Sequence, residues 1–203
     1  MRHSARARLE KVYDLTMQQL RASSYSPAYN NAIGTVEPYR GTDHTVRKMI
    51  ELARGARGEK SIYVRRHAEQ IIQNIRPKAY QSECAAIGKW WGNNGRYTRD
   101  PVHVELIKDP ERMISDAAQG RLVCDCDEFA LGIGTCCLVI GAEVEFVTVG
   151  FEPRPFGFPK RHTHVFCRAK DPSSKIWWVL DPVAGRRTMP MLSRVKQYSF
   201  FPV

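Results

Sequence analysis

Residues 126 to 141 read Cys-Asp-Glu-Phe-Ala-Leu-Gly-Ile-Gly-Thr-Cys-Cys-Leu-Val-Ile-Gly, an apolar run shorter than a membrane span. At helical period Cys126, Phe129, Ala130, Ile133, Cys137 and Ile140 share a face, so the spacing predicts a helix pressed into the core along one side. Cys126 falls in its first turn. Backbone N–H groups there lack intrahelical acceptors and the macrodipole is positive, which stabilises a thiolate and lowers its pKa. A nucleophilic cysteine is made this way, although a cysteine taken alone is more often a small buried hydrophobe. Gly132 and Gly134 cost up to about 1 kcal/mol each against alanine in a helix interior, which predicts close backbone packing, against a downstream hairpin.

That hairpin is read from two stretches, His162-Thr163-His164-Val165-Phe166-Cys167-Arg168-Ala169-Lys170 and Lys175-Ile176-Trp177-Trp178-Val179-Leu180-Asp181-Pro182. Both are rich in β-branched and aromatic residues, and Asp171-Pro172-Ser173-Ser174 between them is turn chemistry. With the turn centred on Pro172 and Ser173, Asp171 faces Ser174 and His164 falls directly opposite Asp181. Opposed side chains stand about 5 Å apart at Cβ, close enough for a carboxylate to fix an imidazole's tautomer. A one-residue slip would break the alignment. His162 shares the face of His164 and is the alternative base, but it would sit opposite Val183, beyond the strand end at Asp181-Pro182. A helix-start cysteine with a paired His and Asp is the nucleophile, base and orienter set of a thiol enzyme.

Cys126-Asp127-Glu128-Phe129-Ala130, then His164-Val165-Phe166, then Trp178-Val179-Leu180-Asp181-Pro182 resembles the transglutaminase-like cysteine-enzyme superfamily, with its chain order Cys, His, Asp. The resemblance is nearest to its small bacteriophage and bacterial branch, and it spans roughly residues 60 to 190, including Ile87 to Pro101 and Glu105 to Pro110 upstream. Cys124 stands where such motifs often carry Gly. The resemblance implies an α+β fold with a papain-like, transglutaminase core: N-terminal helices, a central cysteine helix and an antiparallel sheet. It implies Cys126 as nucleophile, His164 as base, Asp181 as orienter, and an oxyanion donor upstream of the cysteine, for which Trp91 and Asn93 are the candidates. A thioester formed on Cys126 would pass to water in a protease or amidase, the favoured outcome, or to a lysine amine in a crosslinker. In a phage setting the substrate would be a virion protein or a cell-wall peptide. The alternative is a structural virion component at a head, neck or tail joint, with the triad idle.

Composition bounds these readings. At 203 residues, 43% hydrophobic and 26% charged, the chain suits one globular domain with a sizeable core. It shows neither a membrane span nor, at Met1 to Arg8, the apolar core of a signal peptide, so a cytoplasm, that of the host for a phage protein, is the expected location, with incorporation in a phage particle as a later one. Six cysteines with Cys136 and Cys137 adjacent make a poor disulfide framework, and a lone Cys-x-Cys is not a zinc pattern; reduced thiols, no metal and no cofactor are expected. The net charge of +10 raises nucleic acid or an acidic partner, but the basic residues are dispersed and no nucleic-acid module or interleaved aromatic platform accompanies them.

In chain order, residues 1–59 read as a helical extension or docking arm and 60–203 as the enzyme domain. The extension holds an amphipathic helix over Ala5 to Ala22, a loop-like arm from Ser23 to Gly41, and a helix from Thr42-Asp43 to Leu52 or Ala53. Helices follow over Ser61 to Ile75, with Ile62, His67, Ile71, Ile72 and Ile75 as core face, over Tyr80 to Trp91, and from Asp109-Pro110 to Gly120. Residues 142 to 150 alternate as a strand, and the Pro-rich stretch from Glu152 to Arg161 reads as a loop shaping substrate access. The apolar end, Tyr198 to Val203, packs on the domain or on a neighbouring virion protein.

Overall fold

A computed structural model describes residues 33–36, 42–99, 105–153, 162–187 and 189–203. The expected helix over Ala5 to Ala22 and most of the stretch from Glu152 to Arg161 lie outside them. The described elements are β1 (Ile33–Val36), α1 (Thr42–Arg54), α2 (Ile62–Ile72), α3 (Tyr80–Asn94), β2 (Arg96–Tyr97), β3 (Glu105–Lys108), α4 (Pro110–Ala118), β4 (Val123–Cys124), α5 (Cys126–Val139), β5 (Glu143–Gly150), β6 (His164–Lys170), β7 (Trp178–Leu180) and β8 (Gln197–Pro202). The fold is α+β. β7, β6, β5 and β8 form an antiparallel four-stranded sheet in that order, while β1 with β3 and β2 with β4 make two small two-stranded sheets.

α5 is the centre, and it is buried on every side rather than along one. Phe129 to Cys137 and Val139 are all buried, because α1, α2 and α3 cover one side of the helix and β5 and β6 the other. A helix apolar all round belongs in a core interior, which a one-face reading of its spacing misses. Its two glycines mark close approaches. A Cβ on Gly132 would stand 2.5 Å from the Trp91 ring, and one on Gly134 would stand 2.9 Å from Phe146. Only the second faces the sheet; the first faces α3. Trp91 is fully buried, and truncating a core tryptophan costs roughly 3–5 kcal/mol.

α1 belongs to this core too. Val46, Met49 and Ala53 are fully buried in the main cluster, so the second helix of the expected docking arm is part of the domain. Within the arm read as a loop, Ile33–Val36 pairs antiparallel with Glu105–Lys108. On α2 Val64, His67 and Ala68 are buried and Ile71 and Ile72 pack half-buried against the core, so His67 and these two isoleucines fall on the expected face, while Ile62 is exposed. His67 sits between Trp90 and Trp91, ring centroids 4.3 and 6.5 Å away, and burial pushes its pKa down to about 3.

The sheet has two apolar faces. Val144, Phe146, Val165, Cys167, Ala169 and Leu180 join the main core with α5, and Val147, Val149 and Phe166 form a smaller cluster beneath Phe151, Leu192 and Val195. The odd positions of β6 meet α5, and the even ones, His164 included, project on the other side.

Candidate active site

The start of α5 is fixed by its own sequence and by two neighbouring strands. Asp125 is the N-cap: its carboxylate accepts the N–H groups of Asp127 at 3.2 Å and Glu128 at 3.3 Å, and Glu128 returns a bond to the Asp125 N–H at 3.3 Å, completing a capping box. Glu128 is buried and paired with Lys108 at 2.8 Å, and the same ammonium donates to the Val123 carbonyl at 2.6 Å. β2 runs parallel to β4, with Tyr97 level with Cys124, and the Thr98 N–H donates to the Cys124 carbonyl at 2.9 Å. Cys126 is therefore the first residue of α5, half-buried, and its placement is held by backbone on both sides.

The two nearby thiols differ. Cys124 is fully buried, and that burial, reinforced by Glu128, pushes its pKa well above the ordinary thiol value. Cys136 is pushed up to about 12 by burial, and Cys137 and Cys167 are raised as well. These are core thiols, and Cys126 is the partly accessible one.

His164 Nε2 and Asp181 Oδ2 are 2.7 Å apart, with both side chains at most 2% exposed. The other carboxylate oxygen, Oδ1, accepts the N–H groups of Val183 at 2.9 Å and Ala184 at 3.0 Å, so Asp181 is tied to the chain that follows it. The His164 ring is flanked by Phe151 and Phe166, and its Nδ1 is buried with no hydrogen-bond partner among the described residues. An imidazole whose Nε2 is committed to a carboxylate presents Nδ1 to a reacting group.

The pair does not form through the expected register. The turn at Pro172 and Ser173 is present, with the Ser174 N–H on the Asp171 carbonyl at 2.9 Å, but Lys175, Ile176 and Trp177 stay outside the ladder. Trp177 is held beneath Arg168 and Lys170, with the guanidinium carbon 4.4 Å and the ammonium 5.3 Å from its ring. Pairing resumes at Ala169 with Trp178 and ends at Cys167 with Leu180. The register is thus displaced by two residues from the one that sets His164 opposite Asp181. A displacement of two preserves the face, so Asp181 lies one step further along the same face and the carboxylate meets the ring diagonally.

Topology sets Cys126 at the same height along the sheet as this pair, with His164 on the face that carries Val149 and Phe166. Gly134 packs on Phe146, and the chain turns back at Gly141, so β5 runs antiparallel to α5. The eight residues from Gly134 back to Cys126 rise about 12 Å, and the three from Phe146 to Val149 advance about 10 Å. Cys126 is therefore level with Val149, whose partner in the β5–β6 ladder is His164, the first residue of β6. His162 stands at the same end of the sheet, its Nδ1 2.9 Å from the hydroxyl of Thr148, a fully buried residue next to Val149 on β5.

The two oxyanion candidates are not brought to Cys126. The Trp91 indole packs on Gly132, well along α5, and its N–H is buried beside the Cys136 sulfur. Asn93 is exposed on α3 and lines a groove with His67, Gln70 and Trp90. The residue that does stand by the thiol is Tyr97, which sequence reading passed over. Burial, then the adjacent Cys126 and Asp125, hold its hydroxyl protonated above the usual range, against a hydrogen bond with Arg99. The signal for it was positional: a tyrosine on a strand running into the cysteine helix. Among the described residues no group of three or more His, Cys, Asp or Glu could hold a metal ion. No helix among them is long and apolar enough to cross a membrane. No family model, no curated protein and no solved structure matches the chain.

Proposed function

We propose that the chain is a thiol enzyme of transglutaminase-like, papain-like design, acting as a cysteine protease or amidase on a protein or peptide through Cys126, His164 and Asp181. The observation that carries this reading is the buried His164–Asp181 pair at 2.7 Å, with Nδ1 left over, at the sheet end where α5 begins with Cys126. Asp181 holds the imidazole in the tautomer with the proton on Nε2, so Nδ1 accepts the thiol proton. The Cys126 sulfur attacks the acyl carbon of an amide, the C–N bond breaks, and the imidazolium returns the proton to the leaving amine. Water then attacks the thioester, which releases the acid and restores the thiol. The Cys126 backbone N–H, at the first position of a helix, and the protonated Tyr97 hydroxyl are the donors available to a developing oxyanion.

The test is an activated ester. With p-nitrophenyl acetate the reading predicts a burst of p-nitrophenolate and an acetyl group on the Cys126 peptide by mass spectrometry, both lost in Cys126→Ala and strongly slowed in His164→Ala. Acetylation spread evenly over surface lysines, with none on Cys126, refutes it. Adding a lysine-like amine then shows whether the thioester passes to water or to nitrogen.

A further inference from the structure

The face of the sheet turned away from α5 is only half covered. Leu192 and Val195 sit on Val147, Val149 and Phe166 at its middle, but toward β8 and the β6–β7 connection large side chains stand in the open. Tyr198 and Phe200 are 56% and 44% exposed, and their rings contact each other at 5.2 Å. The Arg168 guanidinium lies 4.0 Å over Phe200 and 4.4 Å over Trp177, so ring, cation and ring form one layer across three strands, continued by Val179. Glu145 and Glu143 on β5 hold Arg168 at 2.5 Å and Lys170 at 2.8 Å, which keeps these cations flat on the sheet. Lys175, Arg194 and Lys196 are exposed and close in the chain to Trp177 and Tyr198, and among the described residues they form no ion pair.

We propose that this face binds single-stranded nucleic acid. Sequence-tolerant single-strand binding needs flat groups on which bases stack and cations that track the phosphates, and the face supplies both. A protein partner fits less well. Protein interfaces are depleted in lysine, whereas exposed lysines stand close in sequence to the rings of this layer, on a chain of net charge +10. The sequence disperses these groups over residues 168 to 200; the fold collects them.

Fluorescence anisotropy of a labelled oligothymidylate on the whole chain tests this. Expected are saturable binding that weakens steeply between about 50 and 200 mM salt, and poorer competition by duplex than by single strand. Tyr198→Ala and Phe200→Ala should each weaken binding by about tenfold with unchanged melting. Phe200→Leu keeps the bulk without the π-face and should behave like Phe200→Ala, which preserves the test if the alanine variant unfolds. Lys196→Glu should lower the salt slope. Absence of saturable binding overturns the proposal, as does affinity indifferent to both ring substitutions, which would assign binding to the basic surface at large. A dimer that Tyr198→Ala or Phe200→Ala converts to monomer also overturns it, by giving the face to a second copy of the chain.

Discussion

Replacing Asp181 by asparagine separates the two jobs of that side chain. Oδ1 accepts the N–H groups of Val183 and Ala184, which an asparagine oxygen can still do, while Oδ2 accepts from His164 Nε2 at 2.7 Å in a site at most 2% exposed. The substitution leaves the loop in place and puts an amide NH2 against the ring. Nε2 must then become the acceptor, which moves the neutral ring's proton to Nδ1, the nitrogen proposed to receive the thiol proton. A hydrogen bond to a charged group contributes about 1.5–3 kcal/mol. At about 1.4 kcal/mol per factor of ten, that predicts a 10- to 150-fold slower acylation of Cys126 by p-nitrophenyl acetate. Nitrogen NMR shifts of His164 should report the exchanged tautomer, and the melting temperature should fall less than in Asp181→Ala, which loses the loop contacts as well. Acylation slowed by less than about threefold, with the tautomer exchanged, would refute the argument that Asp181 works through His164.

Two further outcomes concern the framework. Gly132→Ala gains about 1 kcal/mol of helix propensity but sets a Cβ 2.5 Å from the Trp91 ring; since overpacking costs about 1–3 kcal/mol, urea melts should show net destabilisation, reversed in sign when combined with Trp91→Phe if the smaller ring clears the contact. Asp109 caps α4 and faces Arg57 at 3.0 Å, yet burial lifts its pKa from 3.8 to about 6. Its folded pKa lies above the unfolded one, so the stability it contributes is complete below about pH 4 and lost as pH rises through 6, up to about 3 kcal/mol. His67 slopes the other way: with its pKa down at about 3, its contribution is present above 6.5 and lost as pH falls. The difference in unfolding free energy between wild type and Asp109→Asn isolates the first effect, because asparagine keeps the cap. It should favour the variant more at pH 7 than at pH 4, and a difference flat across that range would contradict the burial account.

What could be read from the chain was local. The helix start near Ser61, the Asp109-Pro110 helix start and the first turn at Cys126 each follow from one or two side chains acting on their own backbone, and they stand where expected to within a residue. The shared face of His164 and Asp181 was legible because strand parity survives a displacement of two. The register itself was not, because it depends on Trp177 leaving the ladder for Arg168 and Lys170, a contact between side chains on different strands. All-round burial of α5 and the placing of α1 in the core were hidden for the same reason: periodicity reports that a face is apolar, not how many neighbours arrive. Trp91 looked like a donor from its position before Cys126, but the cleft at Gly132 takes its ring into the interior.

The most direct measurement is the pH dependence of iodoacetamide alkylation, read peptide by peptide by mass spectrometry, on the native chain and on His164→Ala. Modification of Cys126 that stays rapid well below pH 8, outpaces Cys84 and Cys124, and slows to their level in His164→Ala is what a thiolate maintained by helix start and imidazole predicts. Modification of Cys126 no faster than that of the buried thiols, or unchanged by loss of His164, would contradict the proposal that the three residues act together.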